Sequence, residues 1–206
     1  IEWFHDLDSS RGHEATPLVV DGVMFSTGAW SVVFANDAST GELIWKYDPQ
    51  VPREKAYYLC CDAVNRGVAI WEGKIYLGTL DGRLIALDAK NGALIWEKIT
   101  VEDSKAYSIT GAPRIIKDKV IIGNGGADFG VRGYVSAYDS KTGEMIWRFY
   151  TVPGNPKDGF ENEASWEVEV LDTTYNISLF GKTTGRAGQE NKYDLPPPVD
   201  EVLYFG

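Results

Sequence analysis

The sequence predicts an all-β fold, and three observations support this prediction. A nine-residue pattern that begins with aspartate and ends with tryptophan occurs three times, at residues 37–45, 88–96 and 139–147. Its tryptophans, Trp45, Trp96 and Trp147, follow one another at intervals of 51 residues. A second pair of strand-like segments precedes each pattern, so each repeat holds four short strands. Four strands at a period near fifty residues indicate β-propeller blades.

Within each repeat, four strands are predicted in chain order, labelled A to D. The A–B hairpins are predicted at 17–20 with 23–26, at 68–71 with 74–77 and at 113–116 with 120–123. Strands C and D follow, joined by an Asp-x-x-x-Gly turn in which the glycine adopts a positive φ. Residues 1–7, with Trp3, are predicted to be the last strand of a preceding blade. The chain is therefore expected to hold about three blades.

Two connections are longer than their counterparts in the other repeats. The segment after Trp45 exceeds the one after Trp96 by six residues, and it carries Cys60 and Cys61, the two cysteines of the chain. The loop at 124–130 lengthens the third repeat in the same way. B–C loops and D–A connections emerge on the same face of an antiparallel propeller. Rigid scaffolds present binding sites on such loops, so this face is predicted to be functional.

The cysteine pair leaves two interpretations open. Adjacent Cα atoms lie about 3.8 Å apart, whereas a disulfide usually joins Cα atoms about 4.4–6.8 Å apart. A bond between Cys60 and Cys61 would therefore close a small, strained ring that forms a stiff apolar plate. The other interpretation is two reduced, buried cysteines without a role.

Other residues on the predicted face suit an anionic ligand and a cation. Arg66 can bind a carboxylate through two parallel hydrogen bonds, and Thr110 offers a hydroxyl. Glu14 and Asp128 can ligate a hard cation through oxygen. The glycines at 125–126 let the backbone approach a ligand closely. Together these groups favour a flat, polycarboxylated ligand that binds with a divalent cation.

Each of these residues also has a simpler explanation when it is considered alone. Arg66 could pair with Asp62 on the surface. Glu14 could be a solvated loop charge, and Asp128 could cap a turn. The convergence of all of them on one face is what favours a binding site.

Four motifs within residues 3–163 resemble those of the quinoprotein alcohol dehydrogenases, the family that includes methanol dehydrogenase and the quinohaemoprotein ethanol dehydrogenases. They are Glu-Ala-Thr-Pro at 14–17, Cys-Cys-Asp-Ala-Val-Asn-Arg-Gly at 60–67, Gly-Ala-Asp-Phe-Gly-Val-Arg-Gly-Tyr at 126–134 and Asp-Gly-Phe-Glu-Asn-Glu at 158–163. The cysteine motif is highly specific, and the tryptophan repeats match the blade-locking motif of the family. The resemblance implies an eight-bladed propeller that binds pyrroloquinoline quinone and Ca²⁺ on its axis.

The resemblance also implies an activity and a compartment. Alcohols would be oxidised to aldehydes in the periplasm, and the electrons would pass to a cytochrome c. Ca²⁺ would polarise the quinone carbonyl as a Lewis acid, and an aspartate would take the alcohol proton. In the family that base lies in later blades. The catalytic residue is therefore unknown here, and the isolated 206-residue chain is expected to be inactive or nearly so.

Eight residues receive a role from the resemblance. The implied cofactor-binding residues are Glu14, Cys60, Cys61, Arg66, Thr110, Gly126, Ala127 and Asp128. The two cysteines would form a vicinal disulfide stacked on the quinone. Glu14, Arg66 and Thr110 would bind its carboxylates and ring edge, and the backbone at 126–127 would add contacts. Asp128 stands where the family has a calcium-ligating glutamate. Aspartate is one methylene shorter than glutamate, which argues against direct contact with Ca²⁺ and leaves a bridging water as the alternative.

Residues 1–163 are predicted to form the partial propeller, and residues 164–206 an unassigned tail. The tail contains no blade motif and is interpreted as a divergent blade or a foreign segment, with short strands at 166–171 and 202–205. A closed eight-bladed ring needs more than twice the length of this chain. Further blades or partner chains are therefore expected to cover the exposed sheet edges.

Composition narrows the expected partners. A net charge of −10 argues against binding to nucleic acid or to anionic membranes. No apolar stretch is long enough to span a bilayer. Because the chain has no Cys-x-x-Cys-His motif, a c-type haem is expected only outside these residues. A disulfide between the cysteines would favour the periplasm. The expected partners are thus a small alcohol and a cytochrome c.

A non-enzymatic propeller is the alternative function. Scaffolds for protein–protein interaction, of the kind used in outer-membrane assembly, share the tryptophan repeat. They do not need the Cys-Cys-x-x-x-x-Arg loop. Binding of pyrroloquinoline quinone would distinguish the two functions.

Overall fold

The computed structural model describes residues 2–7, 9–59, 61–151, 176–177 and 183–184. Residues 1–150 form one compact unit, in which twelve described strands make three four-stranded antiparallel sheets. The first sheet contains β1 (Leu18–Val20), β2 (Val23–Thr27), β3 (Val33–Asp37) and β4 (Leu43–Tyr47). The second contains β5 (Ala69–Trp71), β6 (Lys74–Gly78), β7 (Arg83–Asp88) and β8 (Leu94–Ile99). The third contains β9 (Arg114–Ile116), β10 (Lys119–Gly123), β11 (Tyr134–Asp139) and β12 (Met145–Tyr150).

The strands of each sheet lie in chain order, as blades require, so the predicted all-β fold is confirmed. The pairing registers of the three sheets are equivalent: Phe25 faces Ala35, Tyr76 faces Ala86, and Ile121 faces Ala137. The C–D pairs also share a register shift. In each sheet it directly follows the pair that the tryptophan makes with an alanine of strand C. The longer sequence interval in the third repeat therefore lies wholly in the loop between β10 and β11.

Tryptophans lock each C–D turn to the preceding repeat. The indole Nε1 of Trp45 donates to the carbonyl of Ala89 at 3.1 Å, and that of Trp96 donates to the carbonyl of Ser140 at 3.2 Å. Each indole also lies against the glycine of the turn that it contacts. A Cβ on Gly92 would approach a ring carbon of Trp45 to 2.7 Å. The repeated pattern thus encodes contacts between blades as well as turns within them.

Apolar residues from neighbouring sheets fill the space between them. One cluster joins the first and second sheets, and its buried members are Phe25, Val33, Ala35, Trp45, Val68, Ile75, Leu77, Ile85 and Leu87. A second joins the second and third sheets, and its buried members are Ala69, Tyr76, Leu84, Ala86, Ile109, Val120, Ile122 and Tyr138. The middle sheet is therefore buried on both faces, because alternate side chains of its inner strands point to opposite neighbours.

The segment at the start of the chain departs from its prediction. Residues 2–7 form no regular strand, because a strand needs a hydrogen-bonded neighbour and the described residues provide none for it. Trp3 nevertheless donates its Nε1 to the carbonyl of Ala38 at 3.1 Å and lies against Gly41. Trp3 thus makes the same contact as Trp45 and Trp96, as expected for the last tryptophan of a preceding blade.

Helical structure in the described residues is limited to three short 3₁₀ helices, at Ala29–Ser31, Arg53–Tyr58 and Ala127–Phe129. Two of them lie in the two long loops that were predicted to be functional. None of the described helices has the length and apolar character needed to cross a bilayer.

Residues 151–206 form a second unit. Its described part is one antiparallel pair, β13 (Asn176–Ile177) with β14 (Thr183–Thr184). The proposed boundary at residue 163 and the strands predicted at 166–171 and 202–205 lie outside the described residues. The division of the chain at that boundary stays a prediction.

Candidate functional site

A cleft in the first unit is lined by residues from three loops, and we refer to it as the cleft. The lining residues are Tyr58, Cys61, Asp62, Val64 and Arg66 from the β4–β5 connection, Ser108 and Thr110 from the β8–β9 connection, and Gly125, Gly126, Asp128 and Phe129 from the β10–β11 loop. Its volume is about 60 Å³. Small-molecule sites usually enclose about 300–1,000 Å³, so the cleft by itself is too small to enclose a ligand of this kind.

Arg66 is the cationic centre of the cleft. Its Nη2 forms an ion pair with Oε2 of Glu14 at 2.8 Å, and its Nη1 donates to Oγ1 of Thr110 at 2.6 Å. These two contacts use two of the five N–H donors of the guanidinium. About half of the side chain is exposed, which leaves its remaining donors accessible from the cleft. The site therefore offers an oriented guanidinium for an anionic ligand.

Backbone hydrogen bonds tie the entries of the three blades together around Arg66. Its N–H donates to the carbonyl of Thr110 at 2.9 Å, and its own carbonyl accepts from the N–H of Thr16 at 3.4 Å. Each partner lies just before strand A of its own blade. Loops that are distant in sequence thereby bring Glu14, Arg66 and Thr110 to one place.

The simpler explanation of Arg66, a surface ion pair with Asp62, is wrong. Asp62 instead accepts a hydrogen bond from Arg11, and it also accepts one from the backbone N–H of Ala63 at 2.7 Å. These bonds, with the Ala63 N–H contributing most, lower the pKa of Asp62 below its usual range. Asp62 therefore stays ionised and holds the turn after Cys61, where its own φ is +80°.

Asn65 anchors the loop segment that carries Arg66, a role that was not predicted from the sequence. Its side chain is 1% exposed, and its Nδ2 donates to the carbonyl of Gly78 at 2.8 Å and to Oγ of Ser31 at 3.2 Å. Its Oδ1 accepts from the N–H of Gly67 at 3.0 Å. One buried amide thus connects the loop that carries Arg66 to the first and second blades. Asn is rarely fully buried, so its burial here reflects these hydrogen bonds. The signal available in the sequence was its position next to Arg66 in the Asn-Arg-Gly run.

We expect Asn65→Ala to lower the free energy of unfolding by about 2 kcal/mol, since three hydrogen bonds are lost and buried groups lose their partner. Denaturant unfolding followed by tryptophan fluorescence measures the change. Asn91→Ala is the matched control: this asparagine is exposed and accepts from a nearby N–H within the turn. Equal losses for the two variants would contradict the supporting role of Asn65.

The β10–β11 loop approaches the β8–β9 connection so closely that only glycine fits at position 126. Gly126 has a φ of +111°, and a Cβ there would lie 2.2 Å from the carbonyl oxygen of Ala106. Gly125 and Ser108 exchange two backbone hydrogen bonds, at 2.6 and 3.3 Å. This anchoring places Asp128, in the 3₁₀ helix Ala127–Phe129, at the edge of the cleft.

Asp128 is the acidic group of this edge that was predicted as a metal ligand. The described residues contain no group of three or more His, Cys, Asp or Glu side chains that could hold a metal ion. A cation at Asp128 would therefore need oxygen ligands from a bound ligand, from water or from residues beyond those described.

The cleft brings together most of the predicted site residues. Those that line it are Cys61, Arg66, Thr110, Gly126 and Asp128, and Glu14 reaches it through its ion pair with Arg66. Ala127 lies between two lining residues without lining the cleft itself. Cys60 lies outside the described residues. Two further lining residues, Tyr58 and Phe129, were not predicted. Phe129 stands inside the motif at 126–134 but received no role there, and Tyr58 lies outside the four motifs.

A protein-family model matches residues 5–176, and its description is PQQ: glucose/ethanol/alcohol dehydrogenase, beta-propeller domain. The chain is 60% identical over 206 residues to quinohemoprotein alcohol dehydrogenase ADH IIB of Pseudomonas putida, covering all of this chain and 29% of that protein. It is 57% identical over 189 residues to 1-butanol dehydrogenase (cytochrome c) of Thauera butanivorans, covering 91% of this chain and 27% of that protein. The similarity thus extends beyond residue 163, where the sequence motifs ended.

Solved structures of alcohol dehydrogenases are also similar to this chain. The quinohemoprotein alcohol dehydrogenase from Comamonas testosteroni superposes with a TM-score of 0.74 at 57% identity, over 76% of this chain and 23% of that one. A europium-containing methanol dehydrogenase superposes with a TM-score of 0.70 at 41% identity, over 75% of this chain and 27% of that one. The chain spans less than a third of the length of these curated relatives, 29% of one and 27% of the other.

Proposed function

Since the chain belongs to the β-propeller domain family of PQQ-dependent glucose, ethanol and alcohol dehydrogenases, we propose that it forms the cofactor-binding wall of an enzyme that oxidises alcohols to aldehydes. The observation that carries this proposal is the meeting of Cys61, Arg66, Thr110 and Asp128 in one cleft, although three separate loops supply them. A non-enzymatic scaffold would not require this convergence.

The residues of the cleft fit pyrroloquinoline quinone, which supplies the redox chemistry when it is bound. Arg66 would bind a carboxylate of the cofactor through donors that Glu14 and Thr110 leave unused. The ion pair with Glu14 fixes the plane of the guanidinium before the ligand arrives. Gly126 keeps this edge of the cleft free of a side chain, so the backbone at 126–127 can contact the ligand.

We propose that Cys60 and Cys61 form a vicinal disulfide that stacks on the quinone. The support is that the described part of the chain contains no free cysteine, and Cys60 is the other cysteine of the sequence. Two further observations agree with a tight turn here: Asp62 adopts a positive φ, and Arg11 holds its carboxylate. A disulfide also fits the proposed periplasmic location, which is an oxidising compartment.

We propose that Asp128 faces Ca²⁺, directly or through a bridging water. An aspartate carboxylate is a suitable ligand for this hard cation. In this position the ion would act as a Lewis acid at the quinone carbonyl. The other protein ligands are expected from residues beyond those described, and so is the base that removes the alcohol proton.

The proposed electron acceptor is a cytochrome c. One relative, the 1-butanol dehydrogenase of Thauera butanivorans, carries cytochrome c in its name. Other relatives are named quinohemoproteins, which supports a haem in parts of the longer protein outside these residues. The remaining blades are expected to supply the rest of the pocket.

Alcohol-dependent reduction of cytochrome c tests the proposed function. We expect the full-length enzyme to turn over ethanol or 1-butanol when it holds both pyrroloquinoline quinone and Ca²⁺, and to stop when either is withheld. The isolated 206-residue chain is expected to show no turnover under the same conditions. Turnover without the quinone, or rapid turnover by the isolated chain, would contradict the proposal.

A further inference from the structure

Tyr134 does not line the cleft, but it contacts two of the three loops that do. It is the first residue of β11 and is buried. Its hydroxyl donates to the carbonyl of Thr100 at 2.8 Å, and its backbone N–H donates to Oδ1 of Asn124 at 2.8 Å. Thr100 begins the β8–β9 connection, and Asn124 begins the β10–β11 loop. One buried residue therefore joins the starts of two loops that supply lining residues.

Tyr107 connects the same two loops further along the chain. Its side chain is buried, and its ring centroid lies 5.7 Å from that of Tyr134. Its hydroxyl donates to the carbonyl of Arg132 at 3.2 Å, near the end of the β10–β11 loop. The next residue, Ser108, lines the cleft and exchanges backbone hydrogen bonds with Gly125, which lines it too. The two tyrosines are thus connected to lining residues of both loops.

Arg148 supports Tyr134 and its anchor point. The guanidinium carbon lies 3.8 Å from the centroid of the Tyr134 ring, which is a cation–π contact. Nη2 of Arg148 donates to the carbonyl of Thr100 at 2.6 Å, and Nε donates to Oγ of Ser136 at 2.8 Å. Burial raises the pKa of Tyr134 to about 12, so its hydroxyl remains a donor. The carbonyl of Thr100 therefore has two donors, and both come from the third blade.

A matching arrangement joins the same two blades at the face that carries the C–D turns. The carbonyl of Ser140 accepts from the hydroxyl of Tyr76 at 2.9 Å and from Nε1 of Trp96 at 3.2 Å. Tyr76 is buried, as Tyr134 is. Of these two hydroxyls, only that of Tyr134 is bonded to a loop that lines the cleft. The two tyrosines therefore allow an effect on stability to be separated from an effect on the site.

We propose that Tyr134 is a positioning residue of the cofactor site, which fixes the β10–β11 loop with Asp128 relative to the β8–β9 connection with Thr110. This inference rests on the proposed function. A ligand that contacts groups on both loops binds well only while their separation is constant, and packed, hydrogen-bonded supporting residues maintain such a separation. Tyr134 acts through the backbone of the two loops and does not touch the ligand.

Tyr134→Phe tests the inference, because it keeps the buried ring and removes only the hydroxyl. Titration of the full-length enzyme with pyrroloquinoline quinone at saturating Ca²⁺, followed by tryptophan fluorescence, gives Kd. We expect Kd to rise about fivefold, which corresponds to the loss of one ordinary hydrogen bond. Tyr76→Phe is the matched control. It should lower the free energy of unfolding to a similar extent but keep the Kd of the parent.

Hydrogen exchange of the quinone-free enzyme gives a second readout, which does not depend on the cofactor. The N–H of Gly125 donates to the carbonyl of Ser108 at 2.6 Å. Its exchange should be about fivefold faster in Tyr134→Phe, because the two loops separate more often, and unchanged in Tyr76→Phe. Tyr107→Phe, which removes the other hydroxyl between the loops, should change Kd and exchange in the same direction. It replaces Tyr134→Phe if that variant fails to fold.

The inference is wrong if either Kd or the exchange rate keeps its parent value in the folded variant. An equal rise of Kd in Tyr76→Phe would assign the effect to stability alone and would also overturn it. A parent enzyme that does not bind the quinone would overturn the proposed function. The exchange rates would then still decide whether Tyr134 holds the two loops together.

Discussion

Replacing Arg66 by alanine is expected to weaken the binding of pyrroloquinoline quinone to the full-length enzyme by about two to four orders of magnitude. Hydrogen bonds to a charged group contribute about 1.5–3 kcal/mol each, and a bidentate carboxylate contact loses two of them. The variant also leaves Glu14 without its partner, so that an uncompensated carboxylate faces the anionic ligand. Quenching of tryptophan fluorescence on titration of the enzyme with the quinone, at saturating Ca²⁺, gives the two Kd values.

Two further variants give this prediction its specificity. Arg66→Lys keeps the charge but loses the planar fork, so it should weaken binding by about tenfold. Arg114→Ala removes an exposed arginine that contacts backbone carbonyls and does not line the cleft, and it should leave Kd unchanged. If Arg66→Ala bound the quinone as tightly as the parent, the assignment of the cofactor carboxylate to Arg66 would be wrong.

The fold was predictable from the sequence because the information that specifies it is local and repeated. Each Asp-x-x-x-Gly turn closes through bonds to its own aspartate: Oδ1 of Asp37 accepts from the N–H groups of Ser39 and Thr40, each at 2.9 Å. The tryptophan that follows contacts the equivalent turn of the next repeat, so the spacing of 51 residues encodes the stacking of blades. Residues 2–7 show where this local information is insufficient. They were predicted to form a strand, but a strand also needs a hydrogen-bonded neighbouring strand, which the described residues do not provide.

The site was predictable only in part. The topology of the blades placed Cys61, Arg66, Thr110 and Asp128 on one face, and the cleft brings them together. The partners of Arg66 were not predictable, because any loop carboxylate could have paired with it. Glu14, 52 positions earlier, is the one that does.

The supporting residues illustrate the same limit. Asn65 contacts Ser31 and Gly78, which precede and follow it by 34 and 13 positions, so its role depends on a packed interface between blades. Tyr58 and Phe129 meet across two loops with no shared motif. Sequence patterns thus identify the groups with distinctive chemistry, whereas the residues that position them or shape the cleft emerge from three-dimensional contacts.

Replacing Gly92 by alanine is expected to lower the free energy of unfolding by about 3 to 4 kcal/mol. The left-handed φ of +71° costs an L-residue about 1–2 kcal/mol. The new Cβ would also lie 2.7 and 2.9 Å from two ring carbons of Trp45, and overpacking of this kind costs about 1–3 kcal/mol more. Moving the indole away would break its hydrogen bond to Ala89 and disturb the cluster between the first and second blades.

Gly73→Ala separates these contributions, because Gly73 has the same φ of +71° but nothing within 4 Å of its missing Cβ. This control should lose only about 1–2 kcal/mol, the cost of the backbone conformation. Urea unfolding of both variants, followed by tryptophan fluorescence, measures the difference, which is the contribution of the Trp45–Gly92 contact. Equal losses at the two positions would mean that the indole of Trp45 moves away from the new Cβ without lowering the free energy of unfolding. The tryptophan repeat would then be a marker of the turn rather than the lock between blades, and Glu14 and Arg66 would need another explanation for their fixed separation across the first two blades.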